Sequence, residues 1–319
     1  MPTDQRLRTL RGSPNFVVVS GDVTDISSIQ SVIEKFSPDE LYHLAAQSHV
    51  GESWNSPIST SDITGIGTLN CLEAIRKAKP ECRFYFAGSS EQFGNSIRKD
   101  YVSEYEGCRS IVPMKTMADL EDRMLNERSP MHPESPYAAA KVFGYNMTHV
   151  YRRSYDMFAS CGILFNHESP MRGDQFVTRK ITLGLANVLA GNQDCVNLGN
   201  LSACRDWGFA GDYVKAMHAM LQLDHPDDFV IATGETHSVQ EFVDIASDYM
   251  GLNKGTINVD PNLFRPKDVD VLIGDASKAK NILGWEATTS FESLVHMMCD
   301  HDKAFVKGRL DIADTFLGV

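Results

Sequence analysis

The stretch "ITGIGTLNCLEAIRKAKPECRFYFAGSSEQFG", residues 63–94, decides the fold. Its first half places apolar residues at three- and four-residue spacing, as an amphipathic helix does. Its second half opens with "RFYFAG", a short apolar run of the kind a sheet buries. The alternation continues in both directions. Upstream lie "FVVVS" (16–20), the helical pattern "ISSIQSVIEKF" and the strand pattern "LYHLAA" from Leu41. Downstream, "SPYAAAKVFGYNMTHVYRRSY" leads into "FASCGILF" from Phe158. Strand, helix, strand in repetition predicts an α/β fold, a doubly wound parallel sheet with helices on both faces.

Beyond residue 166 the rhythm loosens into a helix over 176–190, a helix from Asp212, the strand "FVIATG", the helix "SVQEFVDIASDYMG" and two closing helices. That half reads as a smaller lobe with one excursion back to the sheet.

The chain has 319 residues and a formal net charge of -12, so long-range attraction to nucleic acid or an anionic membrane is disfavoured. No run approaches the roughly 18 apolar residues of a membrane span, and the N-terminus lacks an apolar signal core. A cytoplasmic address is expected, with no nucleic-acid and no membrane partner. Seven scattered cysteines, an odd count with no C-x-x-C, suit reduced thiols better than a disulfide frame, and no metal is expected. Against this acidic background "NHESPMRGDQFVTRK" (166–180) concentrates Arg172, Arg179 and Lys180, which points to a bound anion.

Ligands of an open parallel sheet collect at the carboxyl ends of its strands. There the sequence offers "GDVTD" (21–25), "AAQSHV" (45–50) and "GSSEQFG" (88–94). Singly, Asp22, Ser48 and Ser89 read as turn or capping residues. Three polar crests on one edge read as a site. Tyr137 and Lys141 of "YAAAK" share a helix face, and an ammonium beside a phenol favours the phenolate, which makes Tyr137 a base near neutral pH. Ser89 is placed to hydrogen-bond the hydroxyl that Tyr137 deprotonates, and Glu91 adds a second proton-transfer group. A solvated surface carboxylate is the other reading of Glu91.

From about Gly21 to His301 the chain resembles the extended short-chain dehydrogenase/reductases, and within them the GDP-mannose 4,6-dehydratase family. The blocks that carry the resemblance are "LAAQSHVGES", "FAGSSEQFG", "SPYAAAK", "GILFNHESPMRGDQFVTRKI", "LGNLSACRDWGFAGDYVKAM", "DFVIATGETHSVQEFV" and "FRPKDVDVLIGDASKAK". The resemblance implies a Rossmann-like dinucleotide-binding domain over residues 1–165, with a return at about 209–233, and a substrate-binding lobe over 166–319. It implies a lyase that removes water from GDP-mannose to give GDP-4-dehydro-6-deoxymannose, with NADP reduced and regenerated in the cycle, NAD being the alternative cofactor. The catalytic group implied is Ser89, Glu91, Tyr137 and Lys141. Asn166, Lys180, Arg205 and Arg265 would touch the GDP-sugar. His167, Arg172 and Lys141 would face the cofactor, with Asp22 and Val23 at its adenine and Leu44, Ala45, Ala46, Gln47 and Ser48 lining it. Arg179 reads as a surface ion pair. A homodimer or homotetramer is implied.

Three departures from the family pattern stand out. Only fifteen residues precede Phe16, and Gly12 is the sole glycine among them, so the family's G-x-x-G-x-x-G turn has no counterpart. The expectation is either a fragment of a longer reading frame or a chain without cofactor binding. Residues 100–125 look like an insertion, a lid or a surface elaboration. Met171 stands where the family has the first arginine of "RRG", and Ser59 where an aromatic is frequent. The alternative functions are a non-catalytic GDP-sugar-binding or subunit-pairing relative, and a sugar-nucleotide epimerase or reductase, which leaves Glu91 and "NHESP" unexplained.

Overall fold

Phe84 and Phe86 face one side of a parallel sheet and Tyr85 and Ala87 the other, the two-residue alternation of a strand buried on both faces. The computed structural model of the chain describes residues 10, 13–95, 124–267 and 269–308. Its main sheet runs Glu40–His43, Arg83–Ala87, Ala159–Leu164, Asp228–Ile231, each neighbouring pair parallel. The last three strands are almost wholly buried. Helices cover both faces, as parallel connections require.

Helices Ile26–Phe36, Gly67–Ala78 and Pro136–Tyr155 close one face over Phe84, Phe86 and Cys161. Asp25 starts the first by accepting a hydrogen bond from Ser27 N, and Ser135 starts the third by accepting from Ala138 N. The opposite face is closed by Ala210–Leu221 and Ser277–Leu283, through Tyr213, Met217, Met220 and Ala279. Gly144 lets the Pro136–Tyr155 helix lie against the sheet: a Cβ there would stand 2.6 Å from the Phe86 ring. A third core joins Val177–Leu189, Val239–Met250 and Phe291–Val306 around Trp207, which stacks on Phe291 at 5.9 Å.

Two expectations change. The helix read continuously over 63–78 breaks into a π-helical turn, Asp62–Ile66, before Gly67–Ala78. The run "FVVVS" forms no strand, and Val17, Val18 and Val19 are 65%, 53% and 44% exposed. β-rich composition makes a strand only where a neighbour supplies a ladder. Among the described residues Glu40–His43 is the sheet's last strand on that side. Residues 96–123, most of the expected insertion, lie outside the described residues. No described helix is long and apolar enough to cross a membrane.

Candidate functional site

The strand Arg83–Ala87 ends at Gly88, and the chain then turns at Ser89 into the short helix Ser90–Phe93. Ser89 Oγ accepts from Glu91 N at 3.3 Å, while Ser89 N donates to Gln92 Oε1 at 2.7 Å. This reciprocal capping fixes the hydroxyl and sets Glu91 at the crest. Tyr137 and Lys141 meet it from the first two turns of Pro136–Tyr155, both buried. Lys141 Nζ donates to the Ala87 carbonyl at 2.6 Å and lies 5.8 Å from the Tyr137 ring centre.

The electrostatics correct the expectation of a lowered phenol. Burial pushes Tyr137 up to about 12, and the Ser89 hydrogen bond only partly opposes it; the Glu91 charge adds to the rise and Arg172 counters it. Burial also brings Lys141 down to about 8. The lysine does not lower the phenol because its hydrogen bond goes to the strand end. Desolvation of the phenolate outweighs the nearby cation.

The "NHESP" run forms the strand Asn166–Glu168, paired in parallel with Trp207–Phe209. His167 is held by a 2.9 Å contact between Nδ1 and the Phe165 carbonyl and stacks on Tyr213 at 5.1 Å. A carbonyl only accepts, so Nδ1 carries the proton and Nε2 is an acceptor. Burial keeps this ring neutral, its pKa lowered to about 4. Arg172 lies over the Phe176 ring at 3.7 Å, with its Nε 3.2 Å from Glu168. Phe176 meets His49 edge-on at 5.7 Å, joining this loop to the one after the Glu40–His43 strand. The charges of Arg265 and Arg172 both help to lower the His49 pKa, after burial. Arg172, Arg265, His49 and Tyr137 therefore share one electrostatic neighbourhood.

Arg205 is buried, and its Nη1 donates to the carbonyls of Val269 at 2.7 Å and Cys204 at 2.9 Å. Lys180 sits half-buried in the first turn of Val177–Leu189. Gln47 is braced: its N donates to Thr64 Oγ1 at 3.2 Å and its Oε1 accepts from His49 N at 2.7 Å. Leu44, Ala45 and Ser48 are exposed around it and Ala46 is half-buried. Asp22 Oδ1 accepts from Thr24 N and Oγ1, both at 2.8 Å, and these bonds hold its carboxyl below the usual range. That is turn chemistry at the entry to the first helix. Val23 accepts from the Asn70 side-chain amide through its carbonyl at 2.9 Å.

Arg179 is no surface pair. It is 4% exposed, its Nη2 meets Asp302 at 2.8 Å, and its Nη1 donates to the carbonyls of Pro170 and Arg172. These partners compensate its burial and pin the loop that carries Arg172. Glu168, His49, Phe176 and Asp206 were not singled out from sequence. Glu168 and Asp206 sit inside the quoted "NHESP" and "RDW" blocks, where only their neighbours drew notice.

His149, Cys161 and Asp228 also converge, with ligand atoms within 4.8 Å of one another. The Asp228 carboxylate there already accepts from Arg152 Nη1 at 3.1 Å and Cys161 N at 3.0 Å, and it meets His149 Nε2 at 2.6 Å. A guanidinium supplies the positive charge in place of an ion.

The donor set suits a nicotinamide group: Lys141 reaches the Ala87 carbonyl at the strand end, lies 5.8 Å from the Tyr137 ring centre, and its charge is felt at the neutral His167. Among the described residues no glycine-rich turn opens a helix beside them to cradle a pyrophosphate.

The family model described as GDP-mannose 4,6 dehydratase matches residues 3–109 and 119–298. GDP-mannose 4,6 dehydratase 2 of Arabidopsis thaliana is 46% identical over 298 residues, 92% of this chain and 73% of the relative. The GDP-mannose 4,6-dehydratase of Vibrio cholerae serotype O1 is 42% identical over 318 residues, 90% of this chain and 79% of the relative. That of Dictyostelium discoideum is 40% identical over 322 residues, 95% and 84% respectively. Among solved structures, RMD from Pseudomonas aeruginosa complexed with NADPH superposes with a TM-score of 0.75 at 19% identity, covering 91% of this chain and 89% of that one. DesIV, a dTDP-glucose 4,6-dehydratase from Streptomyces venezuelae with NAD and TYD bound, superposes at 0.75 and 19%, covering 92% and 82%. These two share the Rossmann-like fold. With the family model spanning most of its length and relatives at 40–46% identity, the chain belongs to the GDP-mannose 4,6-dehydratase family.

Proposed function

We propose that this chain is a lyase that removes water from GDP-mannose, giving GDP-4-dehydro-6-deoxymannose. The observation that carries the reading is the meeting of Ser89, Glu91, Tyr137 and Lys141 at one strand end, where the Glu91 charge is felt at the Tyr137 phenol. An epimerase or reductase has no need of that carboxylate. When bound, a nicotinamide dinucleotide, NADP in this reading, supplies the hydride acceptor at carbon 4 and the hydride returned to carbon 6.

The protein's own residues move the protons. Tyr137, oriented by Ser89, takes the proton of the sugar 4-hydroxyl as its carbon is oxidised to a ketone. With the phenol held up at about 12, Tyr137 has to lose its own proton before it can accept one, and the Lys141 ammonium, 5.8 Å from its ring, is the nearby cation that would stabilise that phenolate. The ketone acidifies carbon 5. Glu91 removes that proton and returns it to the 6-hydroxyl, which leaves as water. Asn166, Lys180, Arg205 and Arg265 bind the GDP-sugar, and its diphosphate meets the two arginines. His167, through its Nε2 acceptor, and Arg172 face the cofactor, with Asp22, Val23 and the loop from Leu44 to Ser48 along it.

The reading assigns cofactor binding to residues 1–165 with the return at about 209–233, and substrate binding to 166–319. It also includes a homodimer or homotetramer in the cytoplasm. Ile58, Ile66, Phe143 and Val150, on elements packed together, are 78%, 42%, 38% and 40% exposed, which supports pairing. The six described cysteines are all free, which supports a reducing compartment.

Incubation with GDP-mannose and NADP, followed by mass spectrometry, tests the activity. A sugar nucleotide lighter by one water is expected, and an unchanged one refutes the reading. The other reading is a GDP-sugar-binding relative without catalysis. That reading requires GDP binding with no NADP affinity.

A further inference from the structure

Asp206 lies between Arg205 and Trp207 and is wholly buried. Its Oδ1 accepts from Thr233 N at 2.9 Å and Thr233 Oγ1 at 2.7 Å. Its Oδ2 accepts from Gly234 N at 3.0 Å and Gly274 N at 3.2 Å. Four donors from two distant segments thus converge on one carboxylate, replacing the water it lost and stapling three pieces of chain together.

Each stapled piece matters to the site. Thr233 and Gly234 follow the sheet strand Asp228–Ile231 at its carboxyl end, the edge where ligands of such sheets collect. Arg205 is the residue next to Asp206, and its guanidinium is aligned by the Val269 and Cys204 carbonyls. The segment leading to Gly274 runs parallel to Cys204–Arg205: Cys204 N donates to the Asp270 carbonyl at 2.9 Å, and Leu272 N to the Cys204 carbonyl at 3.2 Å. Arg265 lies just upstream of that segment in the chain, and its charge is felt at His49. One carboxylate therefore links the sheet crest, Arg205 and the arm that carries Arg265.

We infer that Asp206 is a positioning residue for the diphosphate of the nucleotide sugar, holding Arg205 and the Arg265 arm at a fixed distance from the sheet crest. The inference rests on the proposed role of Arg205 and Arg265 as diphosphate ligands. Asp206 touches no ligand itself. Replacing it with asparagine turns one oxygen into a donor that must face Thr233 or the glycine N–H groups, so the staple loosens while the volume stays.

The test is calorimetric titration of the full chain with GDP and with guanosine, alongside thermal melting. Asp206→Asn is expected to weaken GDP by about 10- to 100-fold and to leave guanosine within about 2-fold, because only the phosphate-facing frame moves. Thr233→Val, which removes one of the four donors and conserves volume, is expected to weaken GDP by roughly 3- to 10-fold in a chain that melts near the wild type. If Asp206→Asn does not fold, Thr233→Val decides. A folded variant that binds GDP as the wild type does, or that loses GDP and guanosine equally, overturns the inference, since a purely structural staple predicts those results. Arg205→Ala separates the two levels. If it leaves GDP binding unchanged, the diphosphate reading of the arginine fails and the inference falls with it; if it weakens GDP while Asp206→Asn and Thr233→Val do not, only the inference fails.

Discussion

Lys141 Nζ donates to the carbonyl oxygen of Ala87 at 2.6 Å, so the ammonium is tied to the end of the central strand rather than to the phenol of Tyr137. The bond fixes where the charge stands, and burial sets its cost. With its pKa lowered to about 8, the lysine is charged at pH 7 against a desolvation penalty.

Lys141→Met is therefore expected to stabilise the fold at pH 7 while it removes activity. A lysine depressed in the folded state binds fewer protons than in the unfolded chain between about pH 8 and its model value of 10.5, so its penalty is complete below pH 8 and fades as pH rises through that window. The gain on removal is roughly 1–3 kcal/mol at pH 7, after allowance for the Ala87 carbonyl left without its donor. Urea unfolding at pH 7 and pH 9.5 reads it: the difference between wild type and variant should shrink at the higher pH. A variant less stable at pH 7 would show that the ammonium is a net structural asset.

Glu91→Gln separates the two halves of the reaction. In the proposed reaction, oxidation of the sugar at carbon 4 uses Tyr137, whereas loss of water uses a carboxylate that first accepts and then gives a proton. In the variant, absorbance of reduced cofactor should accumulate in a single turnover while kcat for dehydration falls by about 10²–10⁴. Loss of both steps together would place Glu91 in the hydride-transfer geometry instead.

The Arg179–Asp302 contact at 2.8 Å supports a loop rather than a surface. Asp302 also accepts from Thr182 Oγ1 at 2.7 Å and meets His301 Nδ1 at 3.1 Å, so removing the arginine alone leaves a buried carboxylate with two partners but without the guanidinium that balances its charge. Arg179→Met is expected to cost about 3–5 kcal/mol, and the double variant with Asp302→Leu distinctly less. Chemical denaturation of the wild type, the two single variants and the double variant closes the cycle. Equal losses in the single and double variants would assign the cost to the freed Pro170 and Arg172 carbonyls.

The parts of the fold that sequence disclosed are those decided locally. The helix Ile26–Phe36 coincides with its periodic pattern because Asp25 caps its start and Ser37, at φ 45°, ends it. The run "FVVVS" shows the limit: a strand is a relation between two segments, and Val17–Val19 carry no sign of whether a partner lies beside them. The site divides the same way. The spacing of Tyr137 and Lys141 announced a shared helix face, but the phenol's rise to about 12 comes from packing by distant residues. Glu168 and Asp206 escaped notice because their partners, Arg172 and Thr178 for one, Thr233, Gly234 and Gly274 for the other, are supplied by the fold.

Gly144→Ala tests whether the helix that carries Tyr137 and Lys141 owes its position to a missing side chain. On helix propensity alone the change should stabilise by about 1 kcal/mol. The new Cβ would stand 2.6 Å from Phe86 Cζ and 2.8 Å from Cε2, well inside contact distance, and it faces a ring packed on the sheet rather than a flexible tip. Overpacking of this kind costs about 1–3 kcal/mol, so the clash should outweigh propensity and lower the melting temperature. The helix can relieve it by lifting from the sheet, which draws Tyr137 away from Ser89 and Lys141 from the Ala87 carbonyl. Turnover should then fall by on the order of 10-fold or more, with GDP affinity kept, because the proposed GDP ligands Asn166, Lys180, Arg205 and Arg265 lie on other elements. A melting temperature that rises with full activity would mean that the helix packs further from Phe86, and that the Tyr137 and Lys141 geometry tolerates the shift.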